Sequence, residues 1–152
     1  MIRRKHMIEI VPTILTAGVN AFTQYFNIYK NIFNRVQLDI SDGILSPTKT
    51  MQLNQIAFPA DWTGSWDIHM MVEQPSVYME DILRLHPSLV IFHAEAKEDL
   101  LPIFDTLTAN NIKSGVALQK STYPGNVKQY LKKADHILVF AGELGRQGGE
   151  AD

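Results

Sequence analysis

Six short runs of β-branched and aliphatic residues punctuate this chain: IEIVPTIL (8–15), RVQLDIS (35–41), WDIHMMV (66–72), LVIFHAE (89–95), KSGVALQ (113–119) and HILVFAG (136–142). Stretches of helical period lie between most of them. In NAFTQYFNIYKNIF (20–33), Phe22, Tyr25, Phe26, Tyr29 and Phe33 recur three and four apart. That spacing predicts a helix capped by Asn20 with one buried aromatic face. PSVYMEDILRLH opens on a proline suited to a first helical turn and closes on His86, which is favourable at a helix C-terminus. KEDLLPIFDTLTANN, with Pro102 in its first turn, and YPGNVKQYLKKAD, with Pro124 ahead of its helix, read the same way. Residues 48–60 lack a helical period and are expected to be irregular, and Trp62 and Trp66 are expected to cover the bottom of the third strand.

Strand, helix, strand in regular succession is the pattern of right-handed βαβ units on a parallel sheet, so the class is α/β. Such strands are buried on both faces, which accounts for their hydrophobicity and makes their polar residues informative. Those residues gather at the C-terminal ends of the runs: Thr13, Asp39 with Asp42, His69, His93 with Glu95, and Gln119. A parallel sheet brings these ends to one edge, where α/β folds place their ligands. One shared site is expected there, with Asp42, in an Asp-Gly pair, holding a turn.

The charge balance narrows the partner. With 14 Lys and Arg against 16 Asp and Glu, and no dense basic run, neither nucleic acid nor a membrane surface is expected, and a small molecule is. The absence of cysteine excludes disulfides, thiolate–metal sites and a cysteine nucleophile, so a metal would have to be held by His, Asp or Glu. Near the start, Glu9 and Pro12 interrupt the apolar residues before they could serve as a signal-peptide core or membrane span, and a cytoplasmic location is expected.

The motifs PTIL (12–15), LDISDG (38–43), IHMMVEQP (68–75), FHAEA (92–96) and GVAL (115–118) resemble, in order and spacing, those of the ribulose-phosphate 3-epimerase family, from about residue 8 to about residue 149. The resemblance implies a TIM (β/α)8 barrel of the ribulose-phosphate-binding type, with only about the first six β/α units present. Residues 1–152 are then one domain, an incomplete barrel. It implies an isomerase that interconverts ribulose 5-phosphate and xylulose 5-phosphate by abstracting the proton next to the carbonyl. In that family two aspartates move the proton, and a divalent zinc or iron ion is held by the same aspartates and two histidines. Asp39 falls on the first aspartate, as catalytic base and metal ligand, and His69 on one of the histidines, beside both metal and substrate. Gln37 stands where the family has the other histidine, and a neutral amide is a weak ligand for zinc or iron, which counts against the metal.

The resemblance assigns further residues. Thr13 replaces a substrate-contacting serine, Met71 keeps a methionine that shields the intermediate, and Ser41 and Phe140 replace two others. Gly145 and Gly148, with Gly149, lie in a glycine-rich loop that could present backbone N–H groups to a phosphate. His93 and Glu95 are expected to support the ligands from behind. His6, His86 and His136 are assigned no chemistry. The family's second aspartate and main phosphate loops belong to strands seven and eight. The alternative reading is a non-catalytic phosphosugar-binding or assembly protein on a shortened barrel. A lyase or decarboxylase ranks last, since DISDG lacks the Lys of an Asp-x-Lys-x-x-Asp motif. In the first two readings the partner is a sugar phosphate, and unclosed sheet edges predict a homo-oligomer.

Overall fold

The computed structural model describes residues 8–146. Six strands, β1 (Thr13–Leu15), β2 (Arg35–Ser41), β3 (Ser65–Met71), β4 (Leu89–His93), β5 (Lys113–Gln119) and β6 (His136–Phe140), form one sheet in sequence order. Every neighbouring pair is parallel. Helices α1 (Val19–Tyr29), α2 (Met79–Leu85), α3 (Leu101–Ala109) and α4 (Lys128–Lys133) alternate with the strands. Six parallel strands alternating with helices make a partial TIM barrel of the ribulose-phosphate-binding type, as the sequence predicts. No helix among the described residues is long and apolar enough to cross a membrane.

Period-two alternation explains why polar residues sit inside apolar strands. In β2, Val36, Leu38 and Ile40 join Phe22 and Phe26 of α1 in the main core. Arg35, Gln37, Asp39 and Ser41 therefore point to the other face, the barrel interior. Register aligns that face across strands, with Gln37 opposite Asp67, Asp39 opposite His69, and His69 opposite Ile91. A small second cluster, Leu89, Ile91 and Ala117 with Leu138 against it, lies on this inner side.

Between β2 and β3 there is no α-helix. A short 3-10 turn, Leu53–Gln55, stands there, and Met51, Leu53 and Ile56 fill the space a helix would occupy. Phe58 packs at 4.5 Å from Trp66 and 5.3 Å from Trp62, whose ring meets Phe26 at 4.8 Å. The two tryptophans thus cover the start of β3, as expected.

Several element boundaries differ from the sequence reading. Helix α1 begins at Val19 with Gly18 at its cap, so Asn20 lies inside the helix and does not cap it. The helix ends at Tyr29, and its buried stripe narrows to Phe22 and Phe26, with Tyr25 at the surface. Strand β1 is three residues and not eight. Its register pairs Thr13 with Gln37, and β2 starts only two residues before Gln37, so residues ahead of Val11 have no strand to pair with. Ile8 and Ile10 are accordingly exposed. The stretch beginning at Pro75 opens as a 3-10 turn before α2, and Pro124 likewise sits in a 3-10 turn ahead of α4. His86 does close α2, in the left-handed conformation at φ 49°.

Candidate active site

The C-terminal ends of β1, β2, β3 and β6 surround a cavity of about 280 Å³ lined by Thr13, Leu15, Gln37, Asp39, His69, Met71, Leu138, Phe140, Gly145 and Arg146. Five sequence-predicted residues, Thr13, Asp39, His69, Met71 and Gly145, thus share one cavity. His93 and Glu95 lie behind it. Gly148 falls outside the described residues, as do Gly149 and His6.

The polar side chains form one continuous chain across four strands. Gln37 donates Nε2–H to Asp39 Oδ1 at 2.9 Å, and His69 Nδ1 lies 3.4 Å from the same oxygen. The other side of the His69 ring, Nε2, meets His93 Nε2 at 2.8 Å, and His93 Nδ1 meets Glu95 Oε2 at 3.1 Å. Glu95 Oε1 accepts from the backbone N–H of Gln119 at 3.0 Å and from the Thr122 hydroxyl. Both imidazoles are buried, and Phe140 covers them, 6.0 Å from His69 and 6.2 Å from His93.

Burial shapes the charges. It pushes His93 below the usual imidazole range, against the pull of Glu95. Burial also opposes ionisation of Glu95, but donors from His93, Thr122 and Gln119 outweigh it and hold the carboxyl down to about 2. Both contacts to Asp39 fall on Oδ1, so its other oxygen has no hydrogen-bond partner among the described residues.

Asp42 plays the turn role expected of it. Its carboxylate accepts from the N–H of Ile44 and of Glu73, both at 2.8 Å, joining the loops after β2 and β3 while Gly43 adopts φ 84°. The loop after β6 folds across the cavity rim. Thr48 Oγ1 donates to the Gly145 carbonyl at 2.6 Å, and Gly145 stands at φ 78° against Ser46.

A divalent metal fits these residues poorly. Asp39 and His69 would supply two donors, Gln37 turns an N–H toward the same oxygen, and the Nε2 of His93 is committed to His69. No group of three or more His, Cys, Asp or Glu among the described residues could hold a metal ion.

Beneath the site lies a feature not anticipated from the sequence. Arg35 grips Asp67 through Nε at 2.9 Å and Nη2 at 3.2 Å and reaches Glu9 at 3.0 Å, closing the interior at the N-terminal ends of β2 and β3. Attention to strand ends alone passes over it. The alternation of Asp67, His69 and Met71 along one strand was the available signal. Thr122 was missed as well, since nothing in QKSTYP marks it beyond its position just past a strand.

A family model described as "Ribulose-phosphate 3 epimerase family" matches residues 9–150. Among curated proteins, the chain is similar to the ribulose-phosphate 3-epimerase of Helicobacter pylori (strain J99), 22% identical over 88% of this chain and 61% of the relative. It is similar also to those of Treponema pallidum, 25% identical over 91% and 65%, and Bacillus subtilis, 24% identical over 88% and 63%. The chain thus spans less than two thirds of the length of these relatives.

Proposed function

Because the chain belongs to the ribulose-phosphate 3-epimerase family, we propose that it takes up a ketose phosphate of the ribulose 5-phosphate class and moves the proton on the carbon beside the carbonyl. Asp39 is the base. The posture of its carboxylate supports this reading: one oxygen is held by Gln37 beside His69, and the other is without a partner at the cavity. A carboxylate fixed by one oxygen and open at the other meets the geometric requirement for proton abstraction. His69 and the Thr13 hydroxyl would meet the sugar oxygens, and Met71 and Phe140 would wall off water. The loop carrying Gly145 and Gly148 would receive the phosphate, with Arg146 beside it. Zinc or iron would have Asp39 and His69 as its donors in this chain, too few for a closed site, and the proposed step is written without it.

Epimerisation needs a base on one face and an acid on the other. Among the described residues lining the cavity Asp39 is the one carboxylate. That observation favours a second reading, a phosphosugar-binding or assembly protein without turnover. The two separate in deuterium oxide. With the base on one face only, ribulose 5-phosphate should take up deuterium at the carbon beside the carbonyl without forming xylulose 5-phosphate. Asp39→Asn should slow that exchange by a factor on the order of 10² to 10⁴. Saturable binding with no exchange would instead establish the second reading.

A further inference from the structure

We propose that Glu95, acting through His93, fixes the tautomer of His69, so that Nε2 of the His69 ring carries the proton and the Nδ1 lone pair faces Asp39. The assignment follows from counting donors along the chain of contacts. The Gln119 backbone can only donate to Glu95, which accepts from it with Oε1 and meets His93 with Oε2. A carboxylate has no proton to give, so His93 Nδ1 must be the donor of that 3.1 Å bond. The neutral His93 ring then has a lone pair on Nε2. At 2.8 Å from it, His69 Nε2 must supply the proton. A neutral His69 ring is left with a lone pair on Nδ1.

Distances along the chain carry the signature of this arrangement. The Gln37–Asp39, His69–His93 and His93–Glu95 contacts measure 2.9, 2.8 and 3.1 Å. The contact of His69 Nδ1 with Asp39 Oδ1 is 3.4 Å, beyond the usual N–H···O range. The long link falls where the donor count leaves no proton to share. His93 and Glu95 are positioning residues: they touch no substrate, and they decide what His69 presents to the base. The catalytic consequence rests on the proposed role of Asp39. With no hydrogen bond from His69, the Asp39 carboxylate is held by Gln37 alone among the described residues.

Glu95→Gln is the informative variant. The Gln119 N–H requires an oxygen at the Oε1 position, so the carboxamide must turn its NH₂ toward His93 Nδ1. His93 would then protonate on Nε2 and His69 on Nδ1, and the whole chain reverses. In ¹⁵N-histidine-labelled protein, long-range ¹H–¹⁵N correlation should show His69 with a pyridine-type Nδ1 in the wild type and a pyrrole-type Nδ1 in Glu95→Gln. Glu95→Asp should restore the wild-type pattern. A pyrrole-type Nδ1 in the wild type overturns the proposal, whether or not the variant folds, and so does an unchanged pattern in folded Glu95→Gln. If wild type exchanges deuterium, Glu95→Gln should lower the rate on the order of 10- to 100-fold. The spectrum decides the tautomer even where no exchange is seen.

Discussion

Glu95 and His93 couple the site to the stability of the fold. The folded carboxyl of Glu95 titrates at about 2 against an ordinary 4.5, so it contributes stability that is complete above 4.5 and lost as the pH falls toward 2. After allowance for its partial exposure, this amounts to about 2 kcal/mol. His93, held neutral by burial, works in the same sense, because protonation favours the unfolded chain once the pH drops below the usual imidazole range. Asp67 acts oppositely: burial raises its folded pKa against the pull of Arg35, so its contribution is present in acid and lost as the pH rises through that value. Urea midpoints measured from pH 7 down to pH 3 should therefore fall, and Glu95→Gln should flatten the lower part of that curve. An equally steep curve in the variant would remove Glu95 as the cause. These residues were legible in part. FHAE suggests a supporting pair, and Gln37 stands out among the apolar residues of its strand. That one carboxylate, two imidazoles and a second carboxylate form a single line is not legible, because no spacing in sequence encodes the register Asp39–His69–Ile91.

At the scale of elements, the Arg35–Asp67 pair ties β2 to β3 with two hydrogen bonds, and Asp67 is almost wholly buried. Removing one partner of such a pair strands the other charge. Arg35→Ala, which leaves the buried Asp67 carboxylate without its partner, should cost about 3–5 kcal/mol in denaturant unfolding, and a loss below about 1 kcal/mol would mean that water already reaches the pair. The loop after β6 makes a separate case. Gly145 holds φ 78°, and a Cβ there would lie 2.9 Å from that of Ser46. Gly145→Ala should cost about 1–3 kcal/mol locally and weaken sugar-phosphate binding, read by calorimetry, while the melting of the sheet stays nearly unchanged. Strand positions were the most readable elements, since hydrophobic runs mark them directly. Helix ends were not: Asn20 is a good capping residue by type, yet α1 starts at Val19 because the chain turns at Gly18. Strand β1 is shorter than its apolar run because its partner strand starts too late to meet the first of those residues, which apolar character alone cannot reveal.

For the whole molecule, the decisive fact is the unclosed sheet. Among the described residues strand β6 pairs only with β5, and its Ile137 and Val139 are 49% and 74% exposed. Strand β1 has no second neighbour among the described residues. Unpaired edges of this kind recruit other strands. The 152-residue chain should therefore associate with itself in sedimentation, and the double variant Ile137→Lys, Val139→Lys should shift it toward monomer. A monomeric wild type at tens of micromolar would refute this.

The contact between Thr48 and Gly145 bears on how such an open sheet moves. It joins the loop after β2 to the loop after β6, residues 97 apart in the chain. A curved sheet without closure breathes like a hinged cover, its two flanks swinging apart about the central strands. Pinned at one rim, it can swing only at the other. Amide protons should thus exchange unevenly along single strands, fastest near Lys113 and His136 and slowest near Gln119 and Phe140. The rim that carries the candidate site is the stiff one, and the compliance of the open sheet is moved to the opposite end.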